Sequence, residues 1–320
     1  MKVLVYGWYH QGNIGDDLFI QAFKHLFPDL EFVFTEAITS TRLQGIDVVF
    51  LGGGSFLHDN PAITPTALKE LESKKIFYLG VGVEGFIHPK HLDLMSKAKL
   101  IATRSVEQVE RLKDIGNAIY VPDLVYSLQD KVQLAEKVGK SVLVMPNVSV
   151  LPNCLNPHWK HASWTYFKSE FCQFLDVLVD DGWTPAFFSM CHAKQLEDDW
   201  ASNELIGHMV RRNNKFLLTD RPAKIEEVTQ LISSYDLVIT QRFHGIVLSE
   251  MTRTPYISIH HHDKLKFSQP GEGAFLSYYN GSKQSFIDTF NKTIKMKFTS
   301  ELPVEPTTFK AFTTEVVSLL

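Results

Sequence analysis

The densest cluster of chemistry-bearing side chains in this 320-residue chain is Ile239-Thr240-Gln241-Arg242-Phe243-His244-Gly245, where an apolar run meets a helical pattern. In extended backbone, residues two apart share a side, which places Arg242 beside His244. A guanidinium grips a carboxylate or phosphate through its planar fork, and an imidazole titrates near neutrality and moves a proton. The pair suits an anionic substrate, with Arg242 as binding residue and His244 as catalytic residue. Arg104-Ser105, at the end of another apolar run, offers a second anion grip. The competing reading of Arg104 is a surface ion pair with Glu107 or Glu110.

Three loops supply a different kind of chemistry. Gly7-Trp8-Tyr9-His10-Gln11-Gly12-Asn13-Ile14-Gly15-Asp16-Asp17 follows the first apolar run, and Gly52-Gly53-Gly54-Ser55 follows another. Leu79-Gly80-Val81-Gly82-Val83-Glu84-Gly85 repeats the pattern further on. Glycines let backbone approach a ligand and expose amides that form anion nests. The spacing is not that of the dinucleotide fingerprint, and Asp16 reads equally as a helix N-cap. His260-His261-His262-Asp263-Lys264 is read as a polar loop that presents Lys264. Consecutive histidines alternate direction and no thiolate accompanies them, so no metal is expected. Trp8, Tyr9, Phe56 and Trp159 are candidates for stacking on a sugar face.

These residues must be positioned by the elements between them. Continuous apolar runs at 3–6, 30–34, 48–51, 76–79, 100–103 and 118–121 read as buried parallel strands. Amphipathic stretches at 16–27, 65–73, 91–97 and 105–116 read as their crossover helices. A second series follows, with strands at 141–145, 185–190, 216–218, 237–240 and 256–259. Its helices are at 163–181, 195–211, 222–234 (opened by proline) and 245–252, with tail helices at 283–295 and 306–320. The expected fold is α/β, two Rossmann-like doubly wound domains facing a cleft. The first domain is placed at 1–128, a polar linker at 129–140, the second domain at 141–300 and a C-terminal helix at 301–320. Open sheets bind ligands at the carboxyl ends of their strands, where the candidate residues lie.

Composition excludes several classes. The net charge is −4, which provides no basic field for nucleic acid. No apolar run approaches the ~20 residues of a membrane span, and the N-terminal run is too short for a signal peptide. Three scattered cysteines do not make a disulfide framework, so a cytoplasmic protein is expected.

Taken in order, Asn13-Ile14-Gly15-Asp16, Gly52-Gly53-Gly54 with Asp59, Gly80-Val81-Gly82 and Arg104-Ser105 resemble the polysaccharide pyruvyl transferase family. Gly116 with Pro122-Asp123, Asp198-Asp199, Arg242-Phe243-His244 and Lys264 extend the resemblance to about residue 266. It implies a GT-B-like pair of domains that moves the enolpyruvyl unit of phosphoenolpyruvate onto a sugar, leaving a pyruvate ketal and phosphate. Arg242 and Arg104 would hold the donor's carboxylate and phosphate, and His244 would be the acid–base group. Lys264, Asn13, Asp16, Gly52, Gly53, Gly54 and Ser55 would complete the substrate site. Phosphoenolpyruvate is then a co-substrate, no further cofactor is implied, and the partner is a sugar or oligosaccharide acceptor, free or carried on a lipid or nucleotide. The family often has tyrosine where His262 stands, a departure that bears on acceptor contacts. The competing functions are a GT-B glycosyltransferase with a nucleotide-sugar donor and a catalytically silent glycan-binding protein.

Overall fold

A computed structural model of the chain describes residues 1–83, 85–147, 157–192, 198–211, 216–218, 222–260, 273–279, 281–296 and 304–320. They divide into two compact units, one of Met1–Gln11, Gly15–Asp130 and Val304–Leu320, the other of Gly12–Ile14 and Lys131–Pro303.

In the first unit, β1 (Lys2–Tyr6), α1 (Ile14–Leu26), β2 (Glu31–Thr35), α2 (Ser40–Leu43) and β3 (Val48–Gly54) are followed by α3 (Pro65–Glu70) and β4 (Lys75–Val81). Then come α4 (Pro89–Ser96), β5 (Leu100–Thr103), α5 (Val106–Leu112) and β6 (Ala118–Tyr120). The strands pair in parallel in the order β2-β1-β3-β4-β5-β6. Strands β3 and β5 are buried along their whole length, which is why their sequences run apolar without alternation. Thr64 and His88 cap α3 and α4, each with a proline in the first turn. Asp16 and Asp17 open α1, and Lys24 and His25 close it, in the sense the helix dipole favours. The helix Pro306–Leu319 belongs to this unit, where Phe312 packs 6.1 Å from Phe27 and Leu320 O accepts from Lys75 Nζ.

The second unit contains β7 (Ser141–Met145), α6 (Pro157–Asp180), β8 (Thr184–Phe188), α7 (Asp198–His208), β9 (Phe216–Leu218) and α8 (Ile225–Ser233). These lead to β10 (Leu237–Thr240), α9 (Phe243–Thr252), β11 (Tyr256–His260), β12 (Ala274–Ser277) and α10 (Lys283–Thr293). Its sheet is parallel, in the order β12-β11-β10-β7-β8-β9. The core is aromatic: Phe167, Phe171 and Phe174 of α6 pack with Phe286 of α10 and Tyr278. The expected linker lies partly along α8, where Gln133 N and Ala135 N donate to Thr229 Oγ1 and Ser233 Oγ at 3.1 and 2.8 Å.

Both units are doubly wound α/β sheets, and each has one point where the winding reverses. In the first it lies between β1 and β3, in the second between β7 and β10. Ligands of open α/β sheets settle beyond the carboxyl ends of the strands that flank such a point. Four segments therefore matter most: the Gly7 loop, Gly52–Gly54, the residues after Met145, and the residues after Thr240.

Three details differ from the sequence expectation. Strand β12 was not anticipated, because Ala274–Ser277 is short and only partly buried. Pro222 does not open α8; the helix begins at Ile225 with Lys224 as N-cap. Helix α9 begins two residues earlier than expected, with consequences for the site.

Candidate functional site

At the reversal of the second unit, Gln241 ties the two central strands together. Its N–H donates to Met145 O at 3.0 Å, and its Oε1 accepts from Asn147 N at 2.9 Å. Arg242 follows as the N-cap of α9, in extended backbone, and its side chain does not cap the helix. The guanidinium turns to Asp198 instead: Nε donates to Oδ2 at 3.0 Å, and Nη2 donates to Oδ1. Asp198 has no exposed surface, whereas Arg242 keeps 13 % of its side chain exposed. Burial pushes the Asp198 carboxyl above the usual carboxylate range, and Arg242 opposes that shift. A second tie fixes Asp198, since Oδ2 accepts from Cys191 N at 3.0 Å.

The expected alternation of Arg242 and His244 along a strand does not occur. Gly245 N donates to Arg242 O at 3.0 Å and closes the first turn of α9, so His244 is its second helical residue. The first-turn amides, the positive end of the helix dipole and the anchored guanidinium are thereby collected at one point. That combination is an anion site with a titratable imidazole in its first turn. His244 is 8 % exposed.

Asn13 reaches the same unit by backbone pairing. It forms an antiparallel bridge with Cys191, flanked by Ile14 N donating to Met190 O and His192 N to Gly12 O, both at 2.9 Å. Beside it His192 Nδ1 lies 2.8 Å from Asp199 Oδ2. The sequence reading missed His192. The signal was an isolated histidine seven residues before an Asp-Asp pair, a spacing without meaning until the loop folds back. His261, His262, Asp263 and Lys264 lie outside the described residues.

The first unit gathers a second group. Arg104 is 6 % exposed, and its Nη1 donates to the fully buried Asp123 at 3.0 Å while Nη2 donates to Ser55 Oγ at 2.6 Å. The surface pair with Glu107 or Glu110 is thus replaced by a buried one with Asp123. Gly82 lies against both Ser55 Oγ and Arg104 Nη2, where a Cβ would overlap them. Its N–H donates to Gly54 O at 3.0 Å, and Gly54 in turn stands against Asp16 Oδ1. Asp16, Gly54, Ser55, Gly82 and Arg104 thus form one neighbourhood at the carboxyl end of the first sheet.

The three glycines have packing reasons of their own. Gly52 crosses Leu79 O, and Gly53 (φ 73°) lies on the Phe19 ring. Asp16 is the third residue of α1 rather than its N-cap. Tyr9, a candidate for stacking on sugar, is instead 3 % exposed and donates its hydroxyl to Gly52 O. Phe56 packs against Tyr6 and His91.

With this geometry in place, comparison with known proteins becomes informative. The fold is that of several UDP-GlcNAc 2-epimerases. The enzyme from Methanocaldococcus jannaschii superposes with a TM-score of 0.63 at 9% identity, over 99% of this chain and 100% of that one. The Neisseria meningitidis enzyme, solved bound to UDP-GlcNAc, gives 0.60 at 10% identity over 99% and 100%. The S. aureus MnaA–UDP structure gives 0.62 at 10% identity over 100% and 97%. No curated protein matches by sequence. Polysaccharide pyruvyl transferase, as a sequence family, matches residues 13–263, from Asn13 through Asp198, Arg242 and His244. The chain belongs to the polysaccharide pyruvyl transferase family.

Proposed function

We propose that the protein is a phosphoenolpyruvate-dependent pyruvyl transferase that builds a pyruvate ketal on a hydroxyl pair of a sugar or glycan, in the cytoplasm and without a further cofactor. The observation that carries this reading is the Arg242 fork, held by the buried Asp198 at the N-terminus of α9 with His244 in the helix's first turn. A donor with about three negative charges needs such preorganised positive groups. Arg242 binds one acidic group of the donor, and Arg104, with Ser55, binds another. Lys264, Asn13, Asp16 and the Gly52–Gly54 backbone complete the proposed substrate site.

The chemistry begins with protonation of the donor's methylene carbon. His244 supplies that proton, and the adjacent carbon becomes an oxocarbenium-like centre that a sugar hydroxyl attacks. General acid catalysis of this kind is worth ~10²–10⁴ in rate. Attack by the second hydroxyl, with departure of phosphate, closes the ketal.

The direct test is incubation with phosphoenolpyruvate and a panel of methyl hexosides, followed by mass spectrometry. A pyruvyl adduct together with released phosphate supports the reading. Nucleotide release from a UDP-sugar, with no adduct from phosphoenolpyruvate, would replace it with a glycosyltransferase.

A further inference from the structure

We propose that His192 is a second proton-transfer group, the base that takes the proton of the attacking sugar hydroxyl, and that Asp199 is its positioning residue. This rests on the pyruvyl-transfer reading above. His192 Nδ1 lies 2.8 Å from Asp199 Oδ2, with the imidazole 12 % and the carboxylate 36 % exposed. An ionised carboxylate only accepts, so the proton of a neutral imidazole sits on Nδ1 and the lone pair on Nε2. Nε2 is buried and has no hydrogen-bond partner. A carboxylate behind one ring nitrogen and an open lone pair on the other is the arrangement that makes histidine a base.

Its position links it to the proposed donor site. Cys191 N and Arg242 Nε share one oxygen of Asp198, each at 3.0 Å, and His192 is the next residue along. His192 is held from its own backbone as well, through Gly12 O at 2.9 Å. Other buried side-chain atoms without partners lie on the segments around it: Ser189 Oγ after β8, Ser202 Oγ on α7 and Gln241 Nε2 after β10. A buried polar atom left unpaired costs ~1–3 kcal/mol. Their concentration beyond these strand ends marks a place where a polar ligand completes the hydrogen bonding.

The reaction needs two groups that move protons. His244 gives a proton to the methylene carbon as the C=C π electrons form the new C–H bond. The first hydroxyl then bonds to the cationic carbon and passes its proton to His192 Nε2. When the second hydroxyl attacks, the C–O bond to phosphate breaks and the electron pair leaves with phosphate. The second hydroxyl's proton restores His244, and phosphate takes up the proton held on His192. Two hydroxyl protons are lost, one retained on the new methyl group and one on phosphate.

The test uses the full chain and the methyl hexoside that yields an adduct with the wild type. The dissociation constant for phosphoenolpyruvate and kcat for transfer are measured in His192→Gln, His192→Ala and Asp199→Asn. The expected result is donor affinity within about two-fold of wild type in all three, with kcat down ~10²-fold or more in the histidine variants and less in Asp199→Asn. Added imidazole should restore part of the His192→Ala rate. Undiminished kcat in His192→Gln overturns the proposal, as does loss of donor binding in step with kcat, which would make the dyad structural. A wild type that binds no phosphoenolpyruvate removes the donor reading, and this role with it.

Discussion

Asp198 holds Arg242 with both carboxylate oxygens, one of them 3.0 Å from Nε, while itself having no exposed surface. The first unit repeats the relationship: the fully buried Asp123 lies 3.0 Å from Nη1 of Arg104. In each unit an arginine at the carboxyl end of a parallel sheet is locked by an aspartate beneath it. A locked guanidinium loses little rotamer freedom when an anion arrives, so more of the contact energy appears as affinity.

Asp198→Asn should therefore weaken phosphoenolpyruvate binding by about ten-fold or more, although residue 198 is buried beneath the arginine. Removing one member of a buried pair costs ~3–5 kcal/mol, so Asp198→Ala should also unfold at markedly lower denaturant. Titration calorimetry and urea melts read the two effects separately. Donor affinity equal to wild type in a folded Asp198→Asn protein would show that the lock is not needed for binding.

Gly82→Ala should disturb the first unit's arginine without touching its charge. The added Cβ would overlap both Arg104 Nη2 and Ser55 Oγ, so the guanidinium must leave its present place. Arg104→Lys should behave similarly, because an ammonium cannot reproduce a fork that spans Asp123 and Ser55. Each variant is expected to lose ~2–4 kcal/mol of stability, measured by chemical denaturation. Wild-type stability in both would mean that the Asp123–Arg104–Ser55 chain contributes nothing to the fold.

The buried His91 should give the first unit an acid sensitivity. Burial, followed by the charges of His88 and His58, lowers it from the ordinary 6.5 to about 4. Its Nδ1 faces the Tyr78 hydroxyl at 3.0 Å, beneath the Phe56 ring. Below pH 6.5 the unfolded chain accepts a proton that the native chain refuses until about pH 4. Stability contributed by the neutral imidazole is thus complete above 6.5 and is lost as pH falls toward 4, on the order of 3 kcal/mol in all. Urea melts across that range should show the slope, and His91→Leu should flatten it. An unchanged slope in His91→Leu would assign the effect to other groups.

The order of strands and helices was legible because buried parallel strands are short apolar runs and their crossovers are amphipathic. Strand β12 escaped because it is an edge strand of four partly buried residues. Arg242, His244 and Arg104 were found from their residue types at the ends of apolar runs. Their partners were not: Asp198 is 44 residues from Arg242 and Asp123 is 19 from Arg104. Nothing in local spacing announces a contact that only the crossing of elements creates. The start of α9 was misplaced for a related reason. Phe243 and His244 have no strong helix signal, and the first turn is fixed by Gly245 reaching back to Arg242 O. His192 was passed over because its partner Asp199 lies across a loop.

The central claim is that Arg242 binds the donor and His244 moves its proton, and one paired measurement tests it. Phosphoenolpyruvate is titrated into wild type, Arg242→Ala and His244→Gln, and phosphate release with the productive hexoside is followed in the same samples. The account predicts donor binding in wild type and His244→Gln, none in Arg242→Ala, and phosphate release in wild type alone. Donor affinity undiminished in Arg242→Ala, or turnover retained in His244→Gln, would contradict it.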